Sequence, residues 1–149
     1  RKTLPGLRAL EKAAVRAGGG CNHRMGLYDM AMIKDNHLAA IGGLCGLAEA
    51  VAAFRERHPG IRVEVEADTV EQALAFFQIP GIDVVLLDNM APASLRCCVA
   101  ARPPGIELEA SGGVTLATIR EIALTGVNWI SAGAITRSAP SVDFGLDFI

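Results

Sequence analysis

The stretch HRMGLYDMAMIKDNH, residues 23–37, decides the fold that this sequence predicts. It contains an apolar, strand-like run at residues 30–33, and the polar group Lys34-Asp35-Asn36-His37 follows at once. Polar groups at the carboxyl end of a buried strand are where α/β folds place their chemistry. The same pattern recurs downstream, so the stretch predicts the first of several strand–helix units.

Further strand-like runs end near residues 65, 87, 108 and 131, and each interval is long enough for one crossover helix. Helices are predicted at residues 5–17, 44–58 and 69–77, and also from Pro92 and from Thr115. Repeated units of this kind form either a doubly wound sheet or a barrel. Carboxylates at period two, at residues 64 and 66 and again at 107 and 109, favour a polar-mouthed barrel. At 149 residues the chain is too short for an eight-fold barrel, so we expect a smaller or incomplete α/β barrel.

Composition and charge narrow the class of protein. Hydrophobic residues make up 51%, no apolar run is long enough to span a membrane, and no signal peptide opens the chain, so we expect a soluble, cytoplasmic protein. Residues 1–34 carry a balance of +5 although the whole chain is at −2, which predicts an anion site near the start. The basic residues do not cluster on one helix, which argues against nucleic acid. The four cysteines lack metal or disulfide spacing, and we expect reduced, mostly buried thiols.

Seven motifs occur in an order that resembles one known family. They are RKTxPG at residues 1–6, GGGxNHRxGLYD at 18–29, IKDNH at 33–37, VEVE at 63–66, LDNM at 87–90, ExSGG at 109–113 and GxxT at 133–136. Together they resemble the C-terminal catalytic domain of quinolinate phosphoribosyltransferase. The resemblance implies an open six-stranded α/β barrel over residues 1–149, truncated at its N-terminal edge. It also implies a glycosyltransferase of NAD biosynthesis that uses Mg²⁺ to join quinolinate and phosphoribosyl pyrophosphate, giving nicotinate mononucleotide, pyrophosphate and CO₂.

That reaction gives the candidate residues their expected roles. Quinolinate is a planar dianion, and the cations predicted to bind it are Arg1, Lys2, His23, Arg24 and Lys34. Three further basic residues at helical spacing, Arg8, Lys12 and Arg16, are predicted to be solvated.

Catalysis is assigned to Lys2, Glu66 and Asp88. Displacement of pyrophosphate leaves positive charge on the ribose, so the two carboxylates would stabilise the transition state, hold ribose hydroxyls or bind Mg²⁺. The alternative for Asp88 is a helix cap, and Asp68 is predicted to be a local cap; Glu109 is left open between the two roles. The phosphate is predicted to lie on two loops, formed by Ser111, Gly112 and Gly113 and by Gly133 and Ala134. No role in phosphate binding is assigned to Arg137.

Two departures from the family qualify this interpretation. The N-terminal α/β sandwich domain of the family is absent from the chain, and so is the threonine that usually precedes the Arg-Lys-Thr motif, here residues 1–3. The resemblance implies that this domain closes the site across a homodimer and supplies an arginine, so we expect a homodimer or higher oligomer when full length and poor activity from this chain alone. Two alternatives stay open: a related transferase or pyrophosphorylase acting on another carboxylated base, and a non-catalytic phosphate-binding barrel. The orientation of Glu66 and Asp88 relative to Lys2 and Lys34 distinguishes an enzyme from a binding module.

Overall fold

The sheet of the protein is parallel and follows the predicted strand pattern. A computed structural model describes residues 2–138, 142–143 and 145–146. Its strands are β1 (Met30–Ile33), β2 (Arg62–Ala67), β3 (Val84–Asp88), β4 (Glu107–Ser111) and β5 (Trp129–Ser131). All five predicted strands are present, and their carboxyl ends lie within three residues of the predicted positions.

Each strand pairs in parallel with the next one in the chain, in the order β1-β2-β3-β4-β5. Because the order never reverses, right-handed crossovers carry the connecting helices to the same face of the sheet. This singly wound order is the one expected of a barrel, and the barrel itself stays a prediction. The described residues form an α/β fold with five strands; the sixth strand and the closure of the barrel stay predictions.

The two faces of the sheet differ in polarity because side chains alternate along each strand. One face carries Val65, Val85 and Leu108, which are paired in register and are fully buried. They pack with apolar side chains of the connecting helices, such as Leu47 and Phe76, to form the core. The opposite face carries the carboxylates of β2 and β4, as the period-two pattern predicts.

Seven helices lie in the described part of the chain. They are α1 (Arg8–Ala17), α2 (Asp35–Ala40), α3 (Gly43–Arg57), α4 (Val70–Phe76), α5 (Pro92–Ala101), α6 (Ile119–Ala123) and α7 (Ala134–Arg137). Pro92 opens α5, and the Thr69 side chain accepts a hydrogen bond from the Gln72 amide at the start of α4, both as predicted. The predicted cap at Thr115 is wrong, because the residues after it form a turn and α6 begins only at Ile119. Helix α2 was not predicted, since the polar run that forms it reads as a loop.

The predicted solvation of the basic residues of α1 is wrong for one of them. Lys12 is buried together with Val15, whereas the apolar side chains of Leu7 and Leu10 are exposed. Periodicity shows that a helix has two unlike faces, but the packing partner decides which of them turns inward.

The cysteines are free, but the prediction that most of them are buried is also wrong. Cys98 is buried in the core, while Cys21, Cys45 and Cys97 are exposed. Among the described helices, none combines the length and the apolar character that a membrane span requires.

Candidate active site

A cavity of about 450 Å³ opens at the carboxyl ends of the strands. Every strand contributes to its wall within one residue of its carboxyl end, through Lys34, Glu66, Asp88, Ser111 and Ser131. This is the position and the size expected of a small-molecule site in an α/β fold.

Most of the predicted site residues line this one cavity. They are Lys2, His23, Arg24, Lys34, Glu66, Asp88, Ser111 and Gly133. Three predicted phosphate-binding residues, Gly112, Gly113 and Ala134, are not among the residues that line it. Arg1 lies outside the described residues, as does the side chain of Arg137. The cavity therefore brings together basic and acidic candidates that are far apart in the sequence.

Arg24 is held against the first strand. Its guanidinium donates to the Met30 carbonyl at 3.1 Å and lies 3.3 Å from the Met32 sulfur. The side chain is half-buried. A planar guanidinium fixed in this way keeps its charge at the cavity and suits a carboxylate ligand.

Lys34 follows β1 directly and faces β2. Its ammonium donates to the Glu66 carboxylate, forming an ion pair across the two strand ends. Its backbone N–H donates to Nδ1 of His37 at 3.0 Å, so the first turn of α2 holds the residue in place. The unpredicted short helix is thus the element that positions this lysine.

Three carboxylates gather beside the lysine. Oxygens of Glu66, Asp68 and Asp88 lie within 4.8 Å of one another. The capping roles considered for the aspartates are not found: the cap of α4 is Thr69, and α5 begins after Ala91 without a side-chain cap. Asp68 contributes its backbone N–H, which donates to the Gln72 side chain.

This acidic cluster fits the Mg²⁺ that the family resemblance implies. Mg²⁺ prefers hard oxygen ligands and is commonly bound through one or two carboxylates together with substrate phosphates. The cluster supplies such oxygens at the mouth of the cavity, and Glu66 and Asp88 also line the cavity wall.

In the SGG loop after β4, close packing leaves no room for a side chain at one of the glycines. Gly112 has φ +93°, and a Cβ atom there would lie 2.1 Å from Oδ1 of Asn89. Asn89 itself has φ +52° and donates from its backbone N–H to the Ser111 carbonyl at 2.8 Å. The ends of β3 and β4 are therefore locked together, and Ser111 is left facing the cavity.

Lys12 is a cavity residue that sequence reasoning placed wrongly in solvent. It is 5% exposed, lines the cavity and donates from Nζ to the His23 carbonyl at 2.5 Å. Burial lowers the pKa of its ammonium from the ordinary value. Lys12 lies three residues before Val15, so the two share one face of the helix, which was a weak signal that Lys12 is buried. Lys12 also lies four residues from Arg8 and from Arg16, and this spacing favoured a solvated face.

At the cavity wall, His23 lies between two buried glutamates, of which Glu109 also lines the cavity. Its Nε2 is 3.3 Å from Glu64 and 3.5 Å from Glu109, and its Nδ1 accepts the Arg24 backbone N–H at 2.8 Å. Glu109 also accepts a hydrogen bond from the Ser131 hydroxyl at 2.5 Å, while both oxygens of Glu64 lack a hydrogen bond within the described residues. Burial, together with the charge of Glu64, raises the pKa of Glu109.

The fold and the cavity together define the class of protein: a singly wound α/β domain whose strand ends form a mixed cationic and acidic ligand site. The chain belongs to the quinolinate phosphoribosyl transferase family, because the model of that family's C-terminal domain matches residues 1–147.

Two curated relatives and one solved structure show how close this likeness is. The chain is 47% identical to a Bacillus subtilis protein named "Probable nicotinate-nucleotide pyrophosphorylase (carboxylating)", over 99% of this chain and 50% of that protein. It is 45% identical to the Mycobacterium leprae nicotinate-nucleotide pyrophosphorylase (carboxylating), over 99% of this chain and 51% of that protein. The structure of NadC from Streptococcus pyogenes superposes with a TM-score of 0.86 at 37% identity, over 99% of this chain and 51% of that one. The chain thus spans about half the length of these relatives.

Proposed function

We propose that this chain forms the site at which quinolinate reacts with phosphoribosyl pyrophosphate to give nicotinate mononucleotide, pyrophosphate and CO₂. One observation carries the proposal: Glu66 and Asp88 line the same cavity as Lys2 and Lys34. A binding module for phosphate needs the cations but has no use for carboxylates facing its ligand, so this arrangement favours an enzyme.

The cationic residues would bind the dianionic substrate. Arg24, whose guanidinium contacts β1, and Lys34, which follows β1, both line the cavity, with Lys2 as a further cation there. Guanidinium and ammonium groups at these positions can contact two separate carboxylates of one planar ring. This need for two anionic contacts favours quinolinate over a base with a single carboxylate.

The carboxylates would act on the sugar. As pyrophosphate leaves C1 of the ribose, positive charge develops on the ring, and fixed negative groups stabilise it. Glu66 and Asp88 would have this role and would hold Mg²⁺, with Asp68 beside them. Mg²⁺ would neutralise charge on the pyrophosphate group. Ser111 and Gly133 would contact the sugar phosphate from the last two strand ends.

The remaining parts of the proposal follow from the family resemblance. They are a sixth strand that completes an open barrel, assembly as a homodimer, a cytoplasmic location, and weak turnover by this chain alone. The measurement for the last is product formation by the chain, with a full-length relative assayed beside it.

The deciding experiment is calorimetry of quinolinate with this chain, with nicotinate as the comparator and phosphoribosyl pyrophosphate withheld. Quinolinate-selective binding supports a dicarboxylate site built from the cations of the cavity. Equal binding of both acids would instead favour a related transferase that acts on a base with one carboxylate. Absence of binding by the folded chain, if a full-length relative binds quinolinate in the same assay, would show that this chain does not form the site by itself.

A further inference from the structure

Asn89 has a backbone conformation that is uncommon outside glycine. Among the described residues other than glycine, it alone has a positive φ, at +52°. A residue with a Cβ atom is strained in this region, although asparagine tolerates it better than most. Strained residues persist only where their surroundings hold them, and they cluster at functional sites. Asn89 belongs to the LDNM motif at residues 87–90, and the proposed reaction gives it no role.

The side chain of Asn89 joins the ends of two neighbouring strands. Its Nδ2 donates to Oδ2 of Asp88, the last residue of β3, at 2.6 Å. Its Oδ1 lies against the loop after β4, so close that a Cβ atom on Gly112 would be 2.1 Å away. Its backbone N–H donates to the carbonyl of Ser111, the last residue of β4, at 2.8 Å. Asn89 itself is not among the residues that line the cavity, so any effect on a ligand there must pass through the residues that it holds.

The two strand ends that Asn89 holds face the cavity side by side. Asp88 and Ser111 are register partners in the parallel pairing of β3 and β4, and both line the cavity. An oxygen of Asp88 also lies within 4.8 Å of oxygens of Glu66 and Asp68. Like charges at this spacing repel, which favours rotation of the Asp88 carboxylate away from its neighbours. The amide of Asn89 opposes that rotation, because a hydrogen bond to a charged acceptor is stronger than one between neutral groups.

We propose that Asn89 is a positioning residue that fixes the Asp88 carboxylate at one distance from Ser111 and thereby sets the affinity of the cavity for phosphoribosyl pyrophosphate. The substrate part rests on the proposed function, in which Asp88 acts on the ribose and Ser111 contacts the sugar phosphate. These groups are joined covalently in the substrate, so their partners in the protein must also have a fixed separation. Quinolinate is assigned to the cations of the cavity, so its binding should not depend on Asn89.

The first test reads the side-chain rotamer of Asp88 by NMR on the full 149-residue chain, and it needs no substrate. Three-bond couplings from Cγ to the backbone nitrogen and to the carbonyl carbon report χ1. We expect a single rotamer in the wild type and averaging between rotamers in Asn89→Gly. Glycine adopts a positive φ without strain, so this variant keeps the turn and its hydrogen bond to Ser111 and removes only the amide. Asp83, held by Arg55 at the other end of β3, is the control and should keep one rotamer in both proteins.

A second pair of variants disturbs the amide from the other side. Gly112 and Gly113 both have positive φ, at +93° and +58°, so alanine is strained at either position. A Cβ atom at Gly112 would meet Oδ1 of Asn89, whereas a Cβ atom at Gly113 would meet nothing within 4 Å. We expect Gly112→Ala to cause averaging of the Asp88 rotamer and Gly113→Ala to leave it fixed. An equal response to both variants would show that backbone strain, and not Asn89, controls the rotamer.

The third test measures binding by calorimetry in the presence of Mg²⁺, with each ligand titrated separately. In Asn89→Gly we expect phosphoribosyl pyrophosphate to bind about tenfold more weakly, with quinolinate affinity within about twofold of wild type. A residue that only shaped the turn would leave both affinities unchanged, because glycine preserves the turn.

The outcomes separate this proposal from the proposed function. The positioning role is wrong if Asp88 samples several rotamers in the wild type or keeps a single rotamer in Asn89→Gly. The role is equally wrong if that variant binds phosphoribosyl pyrophosphate as tightly as the wild type, or if it loses quinolinate affinity to the same extent. If the rotamer responds as expected but the wild type binds no phosphoribosyl pyrophosphate, the positioning of Asp88 by Asn89 stands and the substrate assignment fails.

Discussion

The two ends of β3 each carry an aspartate, and the two side chains have opposite surroundings. Asp83 lies just before the strand, where its carboxylate accepts from the Arg55 guanidinium and from the Val63 backbone N–H at 2.6 Å. Asp88 ends the strand, lies among other carboxylates and accepts from the side chain of its neighbour Asn89 at 2.6 Å. The same residue type is neutralised at one end and held beside like charges at the other.

The same contrast extends across the sheet. At the amino ends of the strands, Glu107 accepts from Arg62 at 2.5 Å and from the Trp129 indole at 2.7 Å, so its charge is balanced within the fold. At the carboxyl ends, cations and carboxylates share a cavity with room for a ligand. Charges that are fully paired stabilise the fold, whereas charges crowded at a cavity destabilise it and indicate function.

The largest expected effect is on catalysis at the carboxyl end. We expect Asp88→Asn to lower the rate of CO₂ release from labelled quinolinate by about 10²- to 10³-fold, because it removes a charge that would stabilise the transition state. The assay uses a form of the protein with measurable turnover. The matched control is Asp83→Asn at the other end of the same strand, which should keep the wild-type rate. An equal loss of rate in both variants would show that Asp88 has no catalytic role that Asp83 lacks.

A smaller effect is expected on binding. Lys34→Met should weaken quinolinate binding by about 10- to 100-fold in calorimetry, because a charge-assisted contact to the substrate is lost. Arg62→Met is the control, since Arg62 also forms an ion pair between two strands, here β2 and β4, but at the amino ends. A loss of affinity in the Arg62 variant as large as that in the Lys34 variant would contradict the assignment of Lys34.

The free energy of unfolding should depend more on Asp83 than on Asp88, which is the reverse of the order expected for catalysis. Asp83→Ala removes the acceptor of two hydrogen bonds and should lower the free energy of unfolding by about 2 kcal/mol in urea denaturation. Asp88→Ala should change it by less than about 0.5 kcal/mol, because its loss relieves repulsion from Glu66 and Asp68. If the Asp88 variant is the less stable of the two, the ion pair and hydrogen bond of Asp83 do not stabilise the fold more than the contacts of Asp88 do.

The smallest effect is a pH dependence of opposite sign at two glutamates of β4, Glu107 at its start and Glu109 in its middle. Burial and the charge of Glu64 raise the pKa of Glu109 in the folded state, although Ser131 and His23 oppose this, so its stability contribution is lost as pH rises through the raised value. Relative to wild type, Glu109→Gln should therefore gain thermal stability as pH rises from the ordinary glutamate pKa through the raised pKa of Glu109.

Hydrogen bonds from Arg62 and Trp129 lower the pKa of Glu107 at the start of this strand. Its contribution is present above the unfolded pKa and is lost as pH falls through the lowered folded pKa. Glu107→Gln should therefore be less stable than wild type above the ordinary glutamate pKa, and the difference should shrink as pH falls below it. If the curves of melting temperature against pH run parallel for the two variants, the pKa values of Glu107 and Glu109 are not shifted in opposite directions in the folded state.

The strands and most of the site residues could be predicted from the sequence because they depend on local patterns. The β-strand period placed Glu64 and Glu66 on one face, and the parallel units placed Lys34, Glu66 and Asp88 at one edge. Parallel pairing makes these arrangements nearly obligatory, since consecutive strand ends must meet at the same side of the sheet.

Helix α1 could not be oriented in this way. Its leucines look like a buried stripe, yet Lys12 lies inward, because the His23 carbonyl is there to accept a hydrogen bond from its ammonium. The cost of burying a cation depends on whether a hydrogen-bond acceptor lies beside it in the fold. That acceptor can be distant in the sequence, so the helical periodicity does not reveal it.

The sequence by itself determined the order of the strands, the polar edge of the sheet and the family, since these follow from local patterns and from motifs in a fixed order. The tertiary structure decided how the charges act: which carboxylates are neutralised, which are crowded, and how the Nδ1 and Nε2 atoms of His23 are used. The reason is physical, because the charge state and the orientation of a side chain depend on burial and on partners within a few ångströms. Neither is defined until separate strands come together.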